Sequence, residues 1–199
     1  KDVVDGIRYC HGHKIAHRDL KLENILYEHG GPNAGIKIVD FGLGTSGGED
    51  DFRRDIVGTY IYMAPEIIKG LHNPFAIDMW SIGIITHTLI VGEFPFVADS
   101  LGVLKNKIVH SKLEFTSKYW KVVSSECKDF IMKLLEKDPK RRMTAFEAQN
   151  HSFLNLKKSK TSLNFTPLDS EIAERLRNFK NMSVLKRVAL EIVARTLEP

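Results

Sequence analysis

Apolar residues recur along this chain with periods that predict one element after another. Val4, Ile7 and Cys10, with His11, fall at helical spacing and Gly12 is a stop signal, so a helix is predicted over the first dozen residues. Two short apolar runs, Ile25 to Tyr27 and Ile36 to Val39, flank the turn-forming string EHGGPNAG and predict a hairpin. From Leu43 to Met63 the chain is rich in Gly, Asp and Arg with little periodicity, the composition of a mobile loop. The longest apolar run, Ile77 to Val91, is interrupted by Asp78 and His87 and falls short of the ~20 residues of a membrane span. It is expected to form a buried core helix that opens at Asp78, and no membrane span is expected.

After the loop Gly92 to Phe96, two amphipathic helices are predicted over Ser100 to Val109 and Ser125 to Leu135. Thr144 and Glu147 then form a TxxE capping box for a further helix. Past Leu156 the composition turns polar and punctuated, KKSKTSLNFTP, as in a linker. Beyond it Ile172, Leu176 and Phe179 share one helical face, Ser183 offers a cap, and Leu185, Ala189 and Ile192 follow before Pro199. One bent helix or two short ones are expected there, and helices this short hold only if their apolar face docks.

Composition narrows the class. A chain of 199 residues with 43% hydrophobic content can bury a sizeable core. Cys10 and Cys127 lie far apart without CxxC spacing, which argues against a disulfide framework or structural zinc and for a reducing, cytoplasmic setting. The formal charge of +4 sits in the tail: residues 1 to 155 carry 20 basic and 20 acidic side chains, residues 156 to 199 carry 9 and 5. No basic face for nucleic acid is visible in the main body. The opening residue is Lys1 and the first dozen positions read as mid-helix, so a piece of a longer chain is expected.

The chemistry concentrates in HRDLKLEN, His17 to Asn24, a stretch between two buried elements. Sixteen positions beyond Asn24, the hairpin returns Asp40 with Phe41 and Gly42. Two acids, an amide and a lysine suit phosphoryl transfer, where the protein positions groups and neutralises charge. Asp19 can accept the proton of an attacking hydroxyl, and Lys21 can stabilise the transferred phosphate. Asn24 and Asp40 offer hard oxygen ligands suited to magnesium.

With these motifs the sequence resembles the protein kinase family, specifically its large, C-terminal lobe: a mainly α fold with short β-hairpins, covering residues 1 to 155. The resemblance implies ATP and Mg2+ as cofactors, with Asp19 and Lys21 catalytic, Asn24 and Asp40 at the metal, and Leu26 flooring the adenine site. It implies that Asp78 hydrogen-bonds the catalytic loop from below, that His17 packs under Phe41, and that Glu66 of the APE string pairs with Arg142. Gly58 and Thr59, in GTYIYMAPE, match the end of an activation segment, and Lys21 and Thr59 match the serine/threonine pattern. Glu23 matches the position that meets a substrate arginine, with a plain backbone contact as its alternative.

Arg18, beside Asp19, usually needs a negative partner from the activation loop. No Ser, Thr or Tyr lies between Gly47 and Gly58, so Glu49, Asp50, Asp51 and Asp55 are candidates for fixed charge, against the bland reading of a solvated run. Thr45 and Ser46 are the nearby hydroxyls. His11, His13 and His17 lack a carboxylate or cysteine at ligand spacing, so packing rather than metal binding is expected of them. No GxGxxG occurs, so the small N-terminal lobe is not represented, and the piece alone is expected to lack useful activity.

Residues 168 to 199, after a linker over 156 to 167, resemble the autoinhibitory junction helix of calcium-dependent protein kinases. That resemblance implies an EF-hand, calmodulin-like domain as partner of residues 168 to 197, beside protein substrates and the small lobe. No EF-hand loop occurs in the chain, so any calcium site lies in other domains. A kinase regulated by separate calmodulin, and a pseudokinase or scaffold, are the alternatives.

Overall fold

The computed structural model describes residues 1–30, 34–41, 60–71, 73–116 and 118–155. Residues 42 to 59 and the tail from 156 lie outside them, so the expectations for Gly58, Thr59, the acidic loop and the junction helix are not addressed by this geometry.

Helix α1, Asp2–Gly12, carries Asp2 and Asp5 in its first turn, where carboxylates complement the helix dipole. Its Val4 and Ile7 are buried. A 3-10 turn at Leu22–Asn24 leads into strand β1, Ile25–Tyr27, which pairs antiparallel with β2, Ile36–Ile38. The register sets Ile25 opposite Ile38 and Tyr27 opposite Ile36. A two-stranded ribbon is marginal alone, and this one leans on α1. A side chain at Gly6 would come within 3.2 Å of Ile38 Cδ1, so the glycine lets the ribbon approach.

Short helix α2, Pro65–Ile68, precedes the central helix α3, Pro74–Val91. The helix does not open at Asp78 as the apolar run suggested. Asn73 Oδ1 accepts from the Ala76 N–H at 3.2 Å and Pro74 occupies the first turn, so a polar cap and a proline start it earlier. Gly92, at φ 72°, ends it by returning its N–H to Thr88 O at 2.8 Å. By length and composition α3 could cross a membrane. It is instead packed on nearly every side, and it buries Asp78, Ser81, His87 and Thr88 with its apolar residues.

Helices α4, Leu101–His110, α5, Ser125–Leu134, and α6, Ala145–Gln149, are capped by Ser100, Ser124 and Thr144. At α6 the capping box is complete, since Glu147 also accepts from the Thr144 N–H at 2.8 Å. Helix α5 crosses α3 at Gly83, where a Cβ would meet Leu135 Cδ2 at 2.7 Å and Leu134 Cβ at 2.9 Å. Trp80, Ile84, Phe130, Ile131 and Leu134 fill the space around that crossing. Helix α1 packs on α6, β2 and α3, which leaves the stretch His17 to Asn24 strung between α1 and the ribbon.

Candidate active site

The loop after α1 is shaped by one carboxylate on the central helix. Asp78, fully buried, accepts from the backbone N–H of His17 at 2.8 Å and of Arg18 at 2.7 Å. Its Oδ2 also meets His11 Nε2 at 2.8 Å. A buried charge is tolerable only when its lone pairs are satisfied, and here three donors converge on it. Arg18 sits at φ 69°, a left-handed conformation that costs a non-glycine residue roughly 1–3 kcal/mol. The bonds to Asp78 hold that turn.

His17 is buried and works in both directions. Its Nε2 lies 2.9 Å from Val39 O, and a carbonyl can only accept, so Nε2 carries the proton. Nδ1 is then the acceptor, and it takes the Asp19 N–H at 3.2 Å. The ring packs 4.5 Å from that of Phe41. Leu20, fully buried, joins the loop to the hydrophobic core.

Three side chains of the sequence motif come together here. Lys21 Nζ is paired with Asp19 Oδ2. Asn24 Nδ2 donates to Asp19 O at 2.8 Å and faces its Oδ2 at 3.4 Å. Asp19 thus has its amide, carbonyl and carboxylate each held by a different neighbour. Asn24 is buried and turns its nitrogen toward Asp19, so Oδ1 is the atom that could meet a cation.

Asp40 arrives from the ribbon. Val39 has left the strand ladder, yet its N–H bonds Asn24 O at 2.9 Å while its carbonyl takes the bond from His17. The next residue, Asp40, is exposed and at φ 65°. The expected strand end at Val39 is therefore one residue too long, because Val39 serves the loop instead of the ribbon. An exposed carboxylate and an amide oxygen are both hard donors, of the kind a cation takes together with oxygens from a phosphate. Among the described residues no cluster of three or more His, Cys, Asp or Glu could hold a metal by itself.

The outlying residues fall as follows. Glu23 is exposed on the 3-10 turn. Leu26 is 48% exposed on β1, so it is not plain core. Glu66 and Arg142 form a fully enclosed fork, with Arg142 donating to both carboxylate oxygens at 2.5 and 2.7 Å. Arg142 donates further to Ala76 O at 2.8 Å and Glu136 O at 2.9 Å, and its guanidinium lies 5.0 Å over the Trp80 ring. Each of its three side-chain nitrogens donates, which makes the pair a joint between α2, α3 and the turn before α6.

His11 is the residue that sequence reasoning missed. Its sequence neighbourhood suggested packing, and only the fold brings it to Asp78, sixty-seven positions away. His13 bonds Tyr9 O at 2.9 Å and His17 bonds Val39 O, so the three histidines serve three separate backbone or carboxylate partners.

Comparison with known proteins follows the same lines. A model of the protein kinase domain matches residues 1–154. The chain is 37% identical over 194 residues to calcium-dependent protein kinase 2 of Oryza sativa subsp. japonica, covering 98% of this chain and 37% of that protein. Calcium-dependent protein kinase 34 of Arabidopsis thaliana is 37% identical over 194 residues, covering 98% and 36%. Calcium-dependent protein kinase 11 of Arabidopsis thaliana is 35% identical over 197 residues, covering 99% and 39%. The chain spans little more than a third of the length of these curated relatives.

Proposed function

Since this chain belongs to the protein kinase family, we propose that residues 1–155 form the large lobe of a serine/threonine kinase of the calcium-dependent type. The observation that carries this reading is the threefold hold on Asp19, by His17 on its amide, Asn24 on its carbonyl and Lys21 on its carboxylate. A general base must be aimed before the substrate arrives.

In this reading the Asp19 carboxylate accepts the proton of a Ser or Thr hydroxyl as its oxygen attacks the terminal phosphate of ATP. Lys21, already against Asp19, shifts its charge to the moving phosphoryl group. Asn24 Oδ1 and the Asp40 carboxylate would hold Mg2+, which neutralises phosphate oxygens. Glu23, exposed on the rim, favours a basic residue near the acceptor. Leu26, half open on β1, offers an apolar floor for the adenine. Arg18 and the stretch with Gly58 and Thr59 belong to the activation segment, and Glu66 with Arg142 supports it from beneath.

Residues 156–167 serve as linker and residues 168–199 as the regulatory junction, answering to an EF-hand domain carried elsewhere. What supports this is the name shared by the relatives above, matched over nearly the whole chain including the tail.

The test is phosphate transfer by the full-length protein to a basic serine peptide, with and without micromolar calcium. Replacing Asp19 by Asn is expected to lower the rate ~10²–10⁴-fold, and residues 1–199 alone are expected to show no useful turnover. Calcium-independent transfer would keep the kinase and remove the calcium switch. An Asp19→Asn variant as fast as the parent would overturn the catalytic assignment.

A further inference from the structure

The turn after α5 carries a lysine whose surroundings suit an amide better than an ammonium. Lys137 Nζ lies 4.0 Å from the centre of the Phe96 ring and 4.9 Å from that of Trp80. Both rings are buried, and they stack 5.9 Å apart at 8° to form an apolar shelf beneath it. An ammonium has three N–H donors. Here one acceptor meets them, Ile108 O near the end of α4, at 2.5 Å. Among the described residues no carboxylate lies within ion-pair distance of Lys137.

Aromatic faces attract a cation, but the neighbouring charges oppose this one. The Arg142 guanidinium lies 5.0 Å over the same Trp80 ring, and Lys69 adds to its field against the single acid Glu136. Burial, with Arg142 and Lys69 behind it, lowers the Lys137 pKa from 10.5 to about 8. Trp80 has the complementary need. Its Nε1–H is buried without an acceptor among the described residues, and an unmet buried donor is costly. An N-acylated lysine answers both. It keeps one N–H for Ile108 O, holds no charge against Arg142 and Lys69, and brings a carbonyl oxygen to the ring with the unmet donor.

We propose that Lys137 is a modification site, acylated by a short acyl group taken from an acyl thioester. The amine lone pair attacks the thioester carbon, a C–N bond forms and the C–S bond breaks. The thiolate leaves, the proton lost from nitrogen passes to water, and nothing is oxidised or reduced. A lysine desolvated beside other cations is an activated nucleophile. Near pH 7.4 roughly one Lys137 in five is free amine, against roughly one in a thousand for an ordinary lysine. The side chain is only half-buried, so the nitrogen stays within reach of a reagent.

The experiment incubates the full-length protein with millimolar acetyl-coenzyme A and no transferase, and reads acetylation at each lysine by peptide mass spectrometry. In the folded protein near neutral pH, Lys137 is expected to react about tenfold faster than Lys128, Lys133 and Lys140, and its rate to level off above pH about 8. In urea the advantage is expected to vanish. A Lys137 no faster than those three in the folded protein overturns the site. So does a Lys137 rate that still climbs past pH ~10 as for an ordinary lysine, or an advantage that survives in urea, which would trace it to the local sequence instead of the shelf.

Discussion

His87 lies inside α3 at 5% exposure, with its Nδ1 2.9 Å from Glu93 O and its ring 5.0 Å from that of Trp120. Burial lowers its pKa from 6.5 to about 4. The folded protein thus keeps it neutral while the unfolded chain takes up a proton below pH 6.5. Stability from this residue is full above pH 6.5 and falls as pH drops towards 4, by roughly 3 kcal/mol in all at about 1.4 kcal/mol per pH unit. Urea melts of the parent and of His87→Asn at pH 7 and pH 4.5 check it. The acid loss is expected to shrink in the variant, and an unchanged loss would show that other groups set it.

Among the elements, α2 is the one held most by a single contact. It spans only Pro65–Ile68 and its Glu66 is gripped by the Arg142 fork. Replacing Arg142 by Ala strands a carboxylate that has no route to water, and such losses typically cost ~3–5 kcal/mol. Replacing both partners, Glu66→Met with Arg142→Met, is expected to recover part of this, because an apolar pair leaves no charge behind. Chemical denaturation of the parent and the two variants decides the matter. A double variant no more stable than Arg142→Ala would mean that the bonds to Ala76 O and Glu136 O, lost from both variants, set the cost and the stranded carboxylate does not.

Across the whole molecule, the sequence made the local features plain and the distant contacts invisible. The capping box at Thr144 and Glu147, the hairpin and the amphipathic helices α4 and α5 were legible because each signal is complete within a few residues. Helix α3, expected to open at Asp78, starts four residues earlier at Pro74, since its apolar run begins after its cap at Asn73. The pairings Asp78 with His17, and Glu66 with Arg142, came from family resemblance rather than from periodicity. The bond from His11 to Asp78 and the turn of Asn24 toward Asp19 came from neither, because both depend on where α1 lies against α3.

The placement of Asp78 has a further consequence, in the time domain. Surface loops usually open on their own, and their amides swap hydrogen with solvent long before the core does. Here the N–H groups of His17 and Arg18 end on a carboxylate carried by the most enclosed helix. In deuterated water these two loop amides are expected to exchange as slowly as those of Ile84 and Ile85 in α3. Rates orders of magnitude faster would mean that the loop opens while the helix stays closed. Slow exchange would mean that the geometry around Asp19 persists until the core itself gives way.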